Sequence, residues 1–333
     1  MVMRVTVCHS HQDRCGIREY GQQLDRSLVD AGVYVRKCSY AYLGEVVAEL
    51  EPGSIFLVHF EPGLTTPWYL NQYLVLARNR GAKTVMCCHW YDHEYMSQYE
   101  DNVDCFVLHR DYSPKSEKSV FIPLGCPVYR ATKENPELRT QFGLPLDATV
   151  LTTIGFLTRW KSIPELAMAM LNAIAGHPKL HVRIHTPWPY DDAGAGAEEA
   201  SVRAVMNAHG CKNMSFSKEF LPEHEALDLA HASDLGFVFH GFHTRSVSAA
   251  TKQFVSAGRP LVVTGSSHAS DLRMGVVRIG SFDPAEFARE VVSVATNTEA
   301  MAGLQRDATH EYDRLNMDVV AKQYVELFEQ LLR

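Results

Sequence analysis

Residues 155–162, GFLTRWKS, and residues 246–265, SVSAATKQFVSAGRPLVVTG, say most about this chain. Each joins a strand-like run to a helix-like one. In the first, the run LTTIG ends at Gly155 and helical spacing begins near Ser162, a residue type suited to an N-cap. In the second, Ser246 and Ser248 precede a helix that stops at Gly258, and Arg259 and Pro260 lead into the apolar run LVVT. Helix N-termini hold free N–H groups and partial positive charge, so they attract anions. Arg159 and Lys161 place two cations on the first turn, where they could grip a diphosphate or equally be solvated surface charges. The small residues Ser248 and Ala249 would let a phosphate approach backbone N–H groups closely.

The same alternation extends outward in both directions. Strands are expected at 4–8, 33–38, 54–60, 83–88, 105–108 and 120–123, with helices at 17–31 and 69–80 among them. Residues 125–148 hold three prolines and little periodicity, and read as a linker with one short helix near 134–142. A second series follows, with strands at 150–155, 180–185, 214–217, 235–239, 261–264 and 276–279. Helices are expected at 163–175, 198–208, 222–232, 247–257, 284–297 and 317–332. The expectation is an α/β chain of two doubly wound, Rossmann-like domains with a ligand cleft between their strand ends. The expected divisions are 1–125, a linker over 126–148, 149–312, and a closing segment over 313–333. The loop 187–197, PWPYDDAGAGA, reads as an insertion.

With 333 residues, 21% charged and 46% hydrophobic, the composition is that of a globular protein. The net charge of −7 gives no long-range attraction to nucleic acid or anionic lipid. No apolar run is long enough to span a bilayer, and the opening MVMRVTVCHS reads as a buried strand rather than a leader, so a cytoplasmic setting is expected. The eight cysteines form no C-x-x-C pair and read as scattered buried thiols. His9, His11, Cys15, His89 and His93 could converge on a metal, but their spacings match known ligand sets only weakly, and no metal is expected.

The words around these turns resemble the donor half of retaining GT-B glycosyltransferases, family 4 in particular. Residues 155–162 look like that family's GxxxxxKG word, which implies that Lys161 binds the donor's distal phosphate. Phe156 stands where many members carry arginine, Ser162 replaces the glycine, and Arg159 could supply the missing cation. Residues 246–265 resemble the family's SG…EA…G.P pattern. Its ribose-binding glutamate corresponds to Gln253 and its earlier glutamate to Arg245, so the paired-glutamate signature is absent. A neutral amide can still bond a ribose hydroxyl, though a carboxylate is the stronger acceptor.

Three segments of the first half extend the resemblance. Residues 15–20, CGIREY, are similar to a family word at the start of the first helix, and FEPGL at 60–64 to a second one. The strand ending at Cys88 delivers His89, which the resemblance aims at the transferred sugar; a structural histidine is the plainer alternative. Gly16, Ile17, Arg18, Tyr20, Trp90 and Tyr91 are then the expected acceptor contacts. Gly155, Ser246, Ser248, Ala249, Gln253 and Arg245 are the expected donor contacts. Trp68, Tyr69, Trp160, Trp188 and Tyr190 are further aromatics that suit sugar or base stacking or partial burial. The last helix looks like the family's closing helix, which crosses back to the first domain.

The expected activity is retaining, metal-independent transfer of a sugar from a nucleotide-diphosphate sugar, with no other cofactor. The acceptor could be a glycan, a lipid-linked or small molecule, or a nucleic acid. Closure of the domains would exclude water. A nucleotide-sugar epimerase using Asp13, Glu61 or Asp92, a non-catalytic sugar-nucleotide-binding homologue, and a nucleic-acid glycosyltransferase are the alternatives.

Overall fold

The computed structural model describes residues 2–10, 12, 15–188, 194–209, 212–242 and 246–333. The chain forms two compact units, each built on a parallel sheet.

The first unit opens with β1 (Arg4–His9), α1 (Gly16–Asp30), β2 (Tyr34–Ser39), α2 (Leu43–Ala48) and β3 (Ile55–Phe60). It continues with α3 (Pro67–Asn79), β4 (Lys83–Cys88), α4 (His93–Met96), β5 (Cys105–Leu108) and β6 (Ser119–Phe121). The strand order is β2-β1-β3-β4-β5-β6. The central strands are buried on both faces, as parallel strands under helices must be, and their apolar runs reflect this. Alternation then sorts side chains to two cores. Val5, Val7, Leu57, Val85, Cys87 and Val107 point to one. Cys8, Val58, Met86 and Cys88 point to the other.

The second unit comprises α5 (Asn135–Gln141), β7 (Thr149–Ile154), α6 (Ile163–Ile174), β8 (Leu180–His185), α7 (Ala195–His209) and β9 (Met214–Ser217). α8 (Glu223–Ala232), β10 (Leu235–Val238), α9 (Ala249–Ser256), β11 (Leu261–Thr264), β12 (Val276–Ile279), α10 (Pro284–Thr296) and α11 (Thr298–Leu315) complete it. Its sheet runs β12-β11-β10-β7-β8-β9, so the order reverses between β7 and β10. Ligands of open α/β sheets bind at such a reversal, beyond the strands' carboxyl ends. α11 has no counterpart in the sequence reading. Its surface is largely polar, and it is held by Ala308, Leu315 and the buried Glu311, which accepts from the Arg273 N–H at 2.7 Å.

The last helix, α12 (Met317–Leu332), belongs to the first unit. Asn316 caps it by accepting from the Val319 N–H at 3.1 Å. Ser27 of α1 donates to Asp318 at 2.7 Å, and Val320, Tyr324 and Phe328 enter the core beside Leu24 and Leu28. The stretch expected as a linker is packed from Tyr129 onward into the second unit. Arg139 of α5 is buried, donating to the Ala232 carbonyl at 3.1 Å and pairing with Asp234 at 2.6 Å. A guanidinium with this many partners fixes a segment that lacks apolar periodicity.

Candidate active site

At the strand-order reversal of the second unit, β7 ends and the chain turns through Gly155, whose φ of 128° is open to glycine but strained for other residues. A short 3₁₀ turn, Arg159–Lys161, follows. It returns the Lys161 side chain over the glycine, so a Cβ on Gly155 would lie 2.6 Å from Lys161 Nζ and 3.3 Å from the Ala250 Cβ. The ammonium donates to the Phe156 carbonyl at 3.0 Å, and among the described residues no carboxylate pairs with it. Its pKa is lowered to about 8 because burial disfavours the charge. Arg159 and Trp160 are exposed beside it.

Ser162 is not a side-chain cap. It sits at φ 44°, ψ 45°, the left-handed region, and makes no capping bond. The turn therefore demands the conformation that glycine adopts most readily, which is why a glycine suits this position.

α9 begins where Gly155 and Lys161 converge. The N–H of Ser248 is already committed to the His268 carbonyl at 2.8 Å, so it is not open to a phosphate. Ala249 and Ala250, one residue further on, occupy the first turn. Ser246 does not sit on that turn: it bridges Trp90 and groups with the first unit. Arg245 lies outside the described residues. Gln253 is one turn into α9, and its buried side-chain oxygen has no hydrogen-bond partner among the described residues. A buried amide acceptor left unpaired is costly, and an entering hydroxyl would satisfy it.

His240 and His268 were not singled out from the sequence. Their rings stack at 3.4 Å between centroids, and His240 is held well below the ordinary imidazole range by burial, then by His268 and Lys161. The signal was available: His240 follows β10, the strand adjacent to β7.

In the first unit, His89 follows β4 and is half-buried. Its Nε2 turns inward, 3.1 Å from His59 Nδ1 and 3.8 Å from Cys87 Sγ. Burial first, then His109 and His9, keep its pKa well below the ordinary range. His59 is lowered likewise, by burial and by its histidine neighbours. His9 stacks on His59 at 5.3 Å and bonds Asp25 at 2.7 Å. Gly21 makes the room, since a Cβ there would be 2.2 Å from His9 Nδ1. The sequence reading named His9 and His89 and missed His59 and His109. The missed pattern is a histidine at the carboxyl end of β1, β3, β4 and β5, all of one alternation phase.

Three of the expected acceptor contacts are in the core. Tyr20 sets its ring edge against His59, His89 and His109, Ile17 is buried, and Tyr91 is 1% exposed and accepts from the Ser116 N–H. A ring enclosed in this way offers no stacking face. Gly16, Arg18 and Trp90 remain partly accessible. Of the carboxylates considered for epimerisation, Asp92 caps α4 by accepting from Tyr95 N–H at 2.9 Å. Glu61 has its pKa raised by burial, and Asp13 lies outside the described residues, as do His11 and Tyr190.

No protein-family model matches the chain. D-inositol 3-phosphate glycosyltransferase of Thermobispora bispora is 24% identical over 198 residues, 58% of this chain. The chain thereby spans about half, 46%, of that relative's length. Solved structures match throughout. HepE of Anabaena in complex with UDP and glucose is 12% identical, covers 98% of this chain and 100% of its own, and gives a TM-score of 0.75. The N-terminal domain of Candida albicans trehalose-6-phosphate phosphatase is 10% identical, covers 99% and 97%, and gives 0.75. A UDP-forming α,α-trehalose-phosphate synthase from Burkholderia xenovorans is 11% identical, covers 100% of both chains, and gives 0.71. The fold is that of GT-B glycosyltransferases, as the sequence resemblance implied. Among the described residues no helix is long and apolar enough to cross a membrane.

Proposed function

We propose that the chain is a retaining glycosyltransferase that uses a nucleotide-diphosphate sugar and no metal at the diphosphate. The observation that carries this reading is Lys161: a half-buried ammonium at the strand-order reversal, folded over a glycine, beside a helix N-terminus and without a carboxylate partner among the described residues. Such a cation is destabilising unless an anion arrives. A diphosphate would complete it, with the first-turn N–H groups of Ala249 and Ala250 and the exposed Arg159 sharing its charge. Gln253 Oε1 would accept from a ribose hydroxyl. As the glycosidic C–O bond breaks, the electron pair leaves with the diphosphate, and these groups stabilise the charge that builds there. His89 would bond the transferred sugar. HepE was solved with UDP and glucose, so uridine diphosphate sugars head the candidate donors.

A thermal-shift panel of nucleoside diphosphates and their sugars tests this reading, because a ligand of the native state raises its apparent stability. A shift with one nucleoside diphosphate, followed by donor turnover and product NMR showing an unchanged anomeric configuration, is expected. No shift with any member overturns it. Gln253 in place of a carboxylate favours one second reading, a sugar-nucleotide-binding homologue without turnover. Binding without donor hydrolysis or transfer would select it.

A further inference from the structure

Four parallel strands of the first unit carry a histidine at or next to their carboxyl ends, and all four side chains fall on the face that packs under α1 and α12. His9 closes β1, His59 lies near the end of β3, and His89 and His109 directly follow β4 and β5. His59 is in register with Cys87 of β4, so the two are direct neighbours across the sheet. Cys87 and Cys88 point to opposite cores, and only Cys87 joins the histidines.

We propose that His59, Cys87 and His89 form a zinc site inside the first unit, held by His59 Nδ1, Cys87 Sγ and His89 Nε2. These three ligand atoms lie within 4.8 Å of one another. The nitrogens are 3.1 Å apart, and the sulfur is 3.8 Å from His89 Nε2. A tetrahedral zinc with bonds of about 2.0–2.1 Å to nitrogen and about 2.3 Å to sulfur sets its nitrogens roughly 3.3 Å apart and nitrogen and sulfur roughly 3.5 Å apart. The side chains therefore already stand close to the required separations. Two histidines and one thiolate suit a borderline cation better than magnesium or calcium, which take oxygen ligands.

The surroundings have the form of an outer shell. His109 Nε2 and the Tyr324 hydroxyl each lie 3.2 Å from the Cys87 sulfur. His109 Nδ1 donates to the Ile122 carbonyl at 2.9 Å, so Nε2 faces the sulfur as an acceptor of the Cys87 thiol proton; once it holds that proton it donates to the thiolate. Tyr20 packs edge-on against His59, His89 and His109, fixing the ring planes. The half-buried His89 gives the ion an access side. On binding, one Zn–S and two Zn–N bonds form, the Cys87 S–H bond breaks and its proton passes to His109 Nε2, 3.2 Å from the sulfur. The fourth position is left to water.

The proposal does not rest on the donor-site reading: Lys161 and Gln253 lie in the other unit, and the zinc would serve structure and the orientation of His89. Coordination through Nε2 would leave His89 as an Nδ1–H donor.

The test uses the full chain, equilibrated with zinc, dialysed against a weak chelator, and analysed by plasma mass spectrometry. About one zinc per chain is expected. Exchange for cobalt(II) should give a thiolate-to-cobalt charge-transfer band and intense visible bands of a four-coordinate ion. Cys87→Ala and His59→Gln should lose the charge-transfer band or the stoichiometry, whereas Cys88→Ala should keep both. If the first two variants fail to fold, the cobalt spectrum of the unaltered protein decides alone. Zinc below about a tenth of an equivalent, or a six-coordinate cobalt spectrum without charge transfer, overturns the proposal. A Cys88→Ala variant that loses the metal while folded overturns the ligand assignment.

Discussion

Replacing Lys161 with methionine should make the free protein more stable and the enzyme far worse. Burial lowers this lysine from 10.5 to about 8. At about 1.36 kcal/mol for each tenfold change, the charged form is opposed by roughly 3 kcal/mol in the absence of ligand. The side chain is only half-buried, and solvent screening reduces the figure to about 1–2 kcal/mol. The sign follows from proton linkage. Between pH 8 and 10.5 the unfolded chain binds more protons than the folded one, so the lysine's penalty is complete below pH 8 and fades as pH rises toward 10.5. Lys161→Met should therefore raise stability at pH 7 by about 1–2 kcal/mol, and the difference from the native protein should close above pH 10. The same variant should lose about 2–4 kcal/mol of transition-state stabilisation, roughly thirtyfold to a thousandfold in kcat/KM. Denaturant melts at pH 7 and pH 10 measure the first effect, and donor turnover measures the second. In the native protein, nucleoside diphosphate affinity should fall above pH 8 as the free ammonium loses its proton. Lys161→Arg should show a flatter profile and so subtract the ligand's own titrations. A methionine variant that is less stable at pH 7, or that turns over donor like the native protein, would refute the reasoning.

Three further outcomes follow from the same geometry. Gln253→Glu should hold or tighten nucleoside diphosphate binding by calorimetry, because the unpaired amide oxygen becomes a stronger acceptor; a large loss would mean the pocket is built around the amide. Ser162→Ala should change stability by less than about 0.5 kcal/mol and Ser162→Gly should raise it by about 0.5–1 kcal/mol, since the left-handed φ of 44° and not a cap decides the position. If alanine costs about 1 kcal/mol instead, the side chain does cap the helix. His89→Ala should cut transfer strongly while nucleoside diphosphate affinity stays within about threefold, because the phosphate groups of the site lie in the other unit. Joint loss of both in a folded variant would remove His89 from the sugar.

The chain's local periodicities were enough to set out both sheets. Runs such as VLTTIG and KTVMCC can bury two faces only between helices, and the amphipathic stretches between them supply those helices. The turn at Gly155–Lys161 was legible for the same reason: a glycine, a cation and a helix start lie within eight residues, and their relation is local. α11 was missed although Met301, Leu304, Ala308 and Leu315 fall at helical spacing, because the segment around them is polar throughout. What the sequence alone could not settle is which distant residues become neighbours. His9, His59, His89 and His109 are separated by long connections, and the strand order β1-β3-β4-β5 brings their ends side by side. Tyr20 and Tyr91 look in the sequence like residues for a sugar surface, since an aromatic ring with a hydroxyl suits either a wet or a dry place. Packing put both in the core. Ser162 likewise has a capping side chain by type, and only the backbone path between β7 and α6 shows that its conformation is what counts. Periodicity is a property of neighbours along the chain, whereas these outcomes depend on sheet order and core packing, which no local stretch encodes.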